Sequence, residues 1–263
     1  MERSELTRRV ITAIVGIVIV FVSLIMKDRT LFYLIVALIG TVAMYEAVEL
    51  FSARSILPVI VPTFLVSLFL AYRELYGYVL GIIFLGFIVS ITIQIINSRE
   101  HGVLDFDFGS IRNYSLINLW IVTPLLTGLY LKNTGNTAII FVTLITVWAT
   151  DTFAYFGGIL FGRKKLHAIS PKKTIEGAII GTIGALIVGT ISHLLICARG
   201  LPVAIAFSLS ISIAGQIGDL FESAVKRKAG KKDSGRFFPG HGGVLDRIDS
   251  LLFAIPLSLL FLL

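Results

Sequence analysis

Charge is scarce in this chain. Of its 263 residues, 15% are Asp, Glu, Lys or Arg and 56% are hydrophobic. A soluble domain averages about 25% charged residues, so a soluble fold of this size could not cover its surface. Cysteine is almost absent. Cys197 stands alone, which excludes a disulfide framework and a Cys-rich metal site. Its place in an apolar run suits a packed or lipid-facing thiol. None of the four histidines has zinc-like partners at useful spacing, and His193 inside an apolar run reads as a packed or polar-contact residue. No internal repeat is visible, which weighs against a transporter built from repeated halves. Short alternating strands are lacking too, which excludes a membrane β-barrel.

What is present is a series of long apolar runs. A helix needs about 20 apolar residues to cross roughly 30 Å of hydrocarbon. Nine stretches qualify: 10–26, 31–51, 56–72, 76–96, 115–131, 137–160, 178–198, 201–221 and 244–263. The first follows Arg3, Arg8 and Arg9 as a signal peptide would. Lys27-Asp28-Arg29 follows it where a small-residue cleavage site would stand, so it reads as a retained helix. The stretch 56–72, with Pro58 and Pro62, is the weakest. The expected fold is all-α: a polytopic transmembrane helical bundle of about nine spans. With the N-terminus in the cytoplasm, 18 of the 23 Lys and Arg residues fall on the inner side, as the positive-inside rule asks. The segment 97–114 is expected as a loop or an interfacial helix.

Acids inside the apolar runs call for explanation, because an aspartate mid-span costs about 2.5–3.5 kcal/mol on insertion scales. Glu46 and Glu49 fall in the second run, Asp151 in the sixth, Asp219 and Glu222 in the eighth, and Asp246, Arg247 and Asp249 in the ninth. Most are expected near the cytoplasmic end of their spans, with Asp151 deeper. Asp219 with Glu222, and Asp246 with Asp249, are spaced i, i+3 and share a helix face. Pairing with Arg247 or nearby lysines would be a purely structural use. Several acids converging beside a basic loop favour a cation site, and oxygen-only ligands suit Mg²⁺.

Two inner loops are dense in cations. One contains Arg163-Lys164-Lys165 and then Ser170-Pro171-Lys172-Lys173-Thr174. Ser170-Pro171 fits an N-cap and first helical position, which would put Lys172 and Lys173 in a helix's first turn. The dipole opposes cations there, and a bound anion would relieve the conflict. The other loop runs from Ser223 through Lys226-Arg227-Lys228, Lys231-Lys232-Asp233 and Arg236 to Gly240-His241-Gly242-Gly243 and Asp246. Glycines there permit close backbone approach to a phosphate. Cations, a glycine turn and intramembrane acids together describe a site for a polyphosphate and a metal at headgroup depth.

The stretch 223–249 resembles the signature of the phosphatidate cytidylyltransferases, the CDP-diacylglycerol synthases. The matching residues are Ser223, Lys226-Arg227, Lys232-Asp233, Gly235, Phe238-Pro239, His241-Gly242-Gly243, Val244 and Asp246-Arg247-Ile248-Asp249. Ala154-Tyr155, Gly157, Ser170 to Thr174 and Glu176-Gly177 also resemble the family. The resemblance implies a single transmembrane catalytic domain over residues 1–263, less specific in 1–135 and motif-bearing in 136–263. It implies transfer of CMP from CTP to phosphatidic acid, giving CDP-diacylglycerol and pyrophosphate in phospholipid biosynthesis. It also implies Mg²⁺ held by Asp219, Asp246 and Asp249, with a second cation plausible beside it. Lys226, Arg227, Lys232 and Arg236 would then meet the triphosphate. Ser170, Lys172 and Lys173 would serve the lipid phosphate or the nucleotide. Ser223, Gly242, Gly243 and Arg247 join the substrate site, and His241 either donates to a phosphate oxygen or only shapes the turn. Expected partners are CTP, phosphatidic acid and membrane lipids, with no nucleic acid, at a bacterial-type cytoplasmic membrane with the site facing the cytoplasm. A homodimer stays open, because Gly158-x-x-x-Gly162 and Gly177-x-x-x-Gly181 have close-packing spacing that serves internal contacts equally well.

Overall fold

The computed structural model describes residue 16 and residues 18–100, 108–237 and 242–262. Helices dominate. In order they are α1 (Thr30–Leu50), α2 (Leu57–Tyr72), α3 (Tyr76–Glu100), α4 (Phe108–Ile117), α5 (Thr123–Asn133), α6 (Thr137–Phe161), α7 (Ile175–Cys197), α8 (Leu201–Lys228) and α9 (Leu245–Ser258). A hairpin, β1 (Lys165–His167) with β2 (Ser170–Thr174), joins α6 to α7.

Six helical stretches among the described residues are long and apolar enough to cross a membrane: Thr30–Leu50, Arg54–Tyr72, Arg112–Asn133, Thr137–Phe161, Ile175–Cys197 and Leu201–Lys228. The protein is thus an integral membrane protein of the helical class. Pro58 falls in the first turn of α2, where no intrahelical donor is needed, and Pro62 is carried inside the helix. Of the run 10–26, residues 10–15 and 17 lie outside the described residues, and 18–25 are helical. The run 76–96 lies in the 25-residue α3. The run 244–263 forms only a 14-residue helix and a 3₁₀ turn, Leu259–Phe261. At 1.5 Å per residue α9 reaches about 21 Å, short of a full crossing. Of the segment 97–114, one end continues α3 and the other opens α4, while 101–107 lies outside the described residues.

The chain divides into two compact units. The first comprises Met1–Leu129 and Asp233–Leu245, and the second Tyr130–Lys232 and Asp246–Leu263. In the first unit, large side chains fill gaps left by small ones. A Cβ on Gly40 would collide with Phe64 and Leu125, and one on Gly86 with Tyr114 and Thr63. Phe51 meets Trp120 edge-on at 6.4 Å between ring centroids. At the start of α1, Asp28 accepts from the Thr30 backbone N–H and hydroxyl at 2.8 and 2.7 Å, which lowers its pKa. Arg29 pairs with Glu74 at 2.5 Å and lies over the Tyr72 ring.

The second unit packs by backbone approach. A Cβ on Gly181 would meet Ala154 and the Thr150 carbonyl, one on Gly177 the Ala154 carbonyl and Gly158, and one on Gly184 the Phe153 ring. Gly158 of one small-residue motif and Gly177 of the other therefore face each other between α6 and α7. In an apolar solvent, helix association depends on such packing and on interhelical hydrogen bonds. The latter follow α8: the Thr150 hydroxyl donates to Ser212 at 3.1 Å, and the Gln216 amide to Thr182 at 2.9 Å.

Candidate functional site

The second unit contains α8 and the acidic start of α9. On α8, Asp219, Glu222, Ser223 and Lys226 follow the i, i+3, i+4, i+7 rhythm of one helix face. On α9, Asp246 falls in the first turn, where the helix dipole favours an anion. Gly218 lets the two helices meet: a Cβ there would stand 2.5 Å from the Asp249 carbonyl oxygen and 3.0 Å from the Phe253 ring. One turn on, Phe221 packs against Phe253 at 5.5 Å.

Two lysines bind the acids together. The Lys226 ammonium, 12% exposed, lies 2.6 Å from Glu222 Oε2 and 2.5 Å from Asp246 Oδ1. Glu222 is wholly buried, and its Oε1 has no hydrogen-bond partner among the described residues. Lys173, arriving from β2, pairs with Asp219. Asp249 interacts electrostatically with Asp219, Glu222 and Asp151, and Asp151 with Asp219 and Lys173. Five carboxylates and two ammoniums thus form one connected group within the unit.

The hairpin corrects one expectation. Ser170, Lys172 and Lys173 stand in strand β2, paired with β1 in the register Lys165 to Thr174 and His167 to Ser170, and not at a helix start. The helix begins later, because Thr174, in extended conformation, supplies the cap: its hydroxyl accepts from the Gly177 N–H at 3.1 Å. Glu176 occupies the first turn and accepts from the Arg163 and Lys164 N–H groups at 3.0 and 3.2 Å. A threonine cap with a glutamate beside it complements the dipole without any bound anion. The electrostatic argument for Lys172 and Lys173 therefore fails, and Lys173 meets the carboxylate of Asp219.

The other expected residues are distributed as follows. Arg227 donates to the Ile169 carbonyl at 3.4 Å and the Lys231 carbonyl at 3.1 Å, tying the hairpin to the end of α8. Lys172, Lys232 and Arg247 are exposed and Ser223 is half-buried, all in the second unit. Arg236, Gly242 and Gly243 belong to the first unit, where Arg236 is exposed and Gly243 buried. Gly242 has φ of 83°, a conformation that only glycine adopts readily. His241 lies outside the described residues. Absent from the expected site were Glu222 and Asp151, although each was visible as an acid in an apolar run.

Hard oxygen donors, one of them a buried and unpartnered carboxylate oxygen, fit a divalent cation such as Mg²⁺ in type. Among the described residues no three His, Cys, Asp or Glu side chains form a ready-made metal cage. Mg²⁺ commonly takes one or two carboxylates and completes its shell with water and substrate phosphate, so the donor set accommodates it without a cage.

These features define a polytopic helical membrane protein with a charged cluster built into its spanning helices. The sequence profile of the cytidylyltransferase family matches residues 7–263. The phosphatidate cytidylyltransferase of Helicobacter pylori strain J99 is 34% identical over 93% of this chain and 87% of its own length. That of Bacillus subtilis strain 168 is 31% identical over 96% of both, and that of Thermotoga maritima is 33% identical over 74% of this chain and 75% of its own. The chain belongs to the cytidylyltransferase family.

Proposed function

We propose that the protein is a phosphatidate cytidylyltransferase, which joins CTP to phosphatidic acid and releases pyrophosphate. The observation that carries this reading is the lysine-bridged carboxylate group of α8 and α9, whose Lys226 and Asp246 lie in the stretch that resembles the family signature. A phosphate oxygen of phosphatidic acid attacks the α-phosphorus of CTP, the bond to the β-phosphate breaks, and pyrophosphate leaves. Such a transfer needs positioning and charge neutralisation far more than covalent chemistry.

Asp219, Asp246 and Asp249 would hold Mg²⁺, which supplies neutralisation of phosphate charge when bound. Lys226 keeps Glu222 and Asp246 in register. Lys173 does the same for Asp219 and couples the hairpin to α8. Exposed Lys172, Lys232 and Arg236 are free to meet phosphate oxygens in solution or at the headgroup layer. Arg227 orders the loop by its two carbonyl contacts.

The excess of Lys and Arg in these loops supports a cytoplasmic site, and with it a cytoplasmic N-terminus and residence in the cytoplasmic membrane. The deciding assay is purified protein with labelled CTP and phosphatidic acid, with and without Mg²⁺. CDP-diacylglycerol and pyrophosphate are the expected products. Release of CDP would reassign the protein as a CTP-dependent lipid kinase.

A further inference from the structure

Glu46 lies in a spanning helix, yet it is 4% exposed and belongs to no part of the proposed chemistry. Within the first unit, its carboxylate accepts from the Ser234 hydroxyl at 2.9 Å, the Val244 N–H at 3.0 Å and the Leu245 N–H at 2.9 Å. Two glycines are shaped around it. A Cβ on Gly235 would strike the Glu46 carboxylate, and one on Gly243 would strike both that carboxylate and Ser234. Both ends of the segment between Ser234 and Val244 therefore converge on one side chain, some 190 residues away in sequence.

The partners have a common position in the chain. Val244 immediately precedes α9, Leu245 opens it, and the next residue is Asp246. The first N–H groups of a helix have no partner within it, and here a carboxylate takes two of them, with the favourable sign for the dipole. We infer that Glu46 is a positioning residue for the transfer: it gathers both ends of the signature turn and sets the first turn of α9, which carries Asp246 and Asp249. A hydrogen-bonded carboxylate behind a ligand-bearing element fixes that element's orientation, and loss of such a partner commonly costs 10- to 100-fold in activity (about that range). Gly235 and Gly243 are kept small by the same contact. This inference rests on the phosphatidate cytidylyltransferase reading.

The test uses full-length protein in detergent micelles containing phosphatidic acid, with variants E46Q, E46D, E46A and G243A, and E49Q as a control one turn away. Glutamine keeps one acceptor oxygen but turns an amide toward a backbone N–H. The expected result is a fall in kcat of about 10- to 100-fold for E46Q and E46A and partial rescue by E46D. KM for CTP and the thermal midpoint of E46Q should stay near wild type. Amide hydrogen exchange over residues 242–250 should quicken in E46Q and G243A, and E49Q should match wild type. Folded E46Q with wild-type kcat would overturn the inference. So would loss of activity only in proportion to loss of folded protein. Should E46A not fold, E46Q and G243A still decide. A wild-type protein that makes no CDP-diacylglycerol overturns the functional reading itself, whereas active wild type with equally active variants overturns this inference alone.

Discussion

The two units solve one problem, the burial of carboxylates in an apolar setting, by different means. In the first, Glu46 is met by two backbone N–H groups and a hydroxyl, neutral donors fixed by the fold. In the second, Asp219, Glu222 and Asp246 are met by the ammoniums of Lys173 and Lys226. Neutral dipoles cannot exchange for a ligand without local unfolding, so they suit a fixed anchor. Ammoniums on flexible stems can swing away to a phosphate and leave their carboxylates to a metal. The packing differs in parallel. Large side chains fill the first unit, around Phe64 and Tyr114. Glycine contacts in the second bring α6 against α7 and α8 against α9.

The comparison can be broken at several points. The largest effect is expected from Lys226→Met, which removes the ammonium shared by wholly buried Glu222 and nearly buried Asp246. Removing one partner of a buried pair costs about 3–5 kcal/mol, so the variant should lose both activity and thermal stability in detergent. Wild-type melting would show that Lys226 is dispensable to the cluster. Next stands Asp219→Asn, which keeps the shape and removes the charge. It should insert and melt nearly as wild type while CDP-diacylglycerol synthesis falls by about 100-fold or more. Near-normal turnover in Mg²⁺ would remove Asp219 from the metal site.

Smaller changes sharpen the contrast in packing. Gly184→Ala forces a methyl group into the Phe153 ring and should destabilise by about 1–3 kcal/mol, read as a lower melting temperature with residual activity intact. The smallest effect is expected from Lys172→Gln on the exposed face of β2. Its stability should stay within about 0.5 kcal/mol, while KM for one phosphate substrate rises. Unchanged KM for both CTP and phosphatidic acid would leave Lys172 with no role beyond orienting the chain.

Much of this could be read from particular residues. The apolar runs announced spanning helices, because hydrocarbon leaves an unpaired backbone no alternative. The i, i+3 acids of α8 and α9 announced a shared face, since helical periodicity is local. Lys172 and Lys173 misled because Ser170-Pro171 is as good a helix opening in isolation as Thr174-Ile175-Glu176. The choice between them depended on pairing with Lys165 to His167 across the turn. The order of the hairpin therefore could not be read from propensity alone.

The sequence by itself determined the solvent, the helical class and the family, because these depend on composition, short-range periodicity and a contiguous motif. The tertiary structure decided the pairings: Lys226 with two acids, Lys173 with Asp219, and Glu46 with residues at the start of α9. They join groups separated by anything from a turn of helix to most of the chain. A carboxylate in hydrocarbon must find a partner, but its type and cost do not say which one. Only the packing of helices at their glycines brings that partner within hydrogen-bond reach.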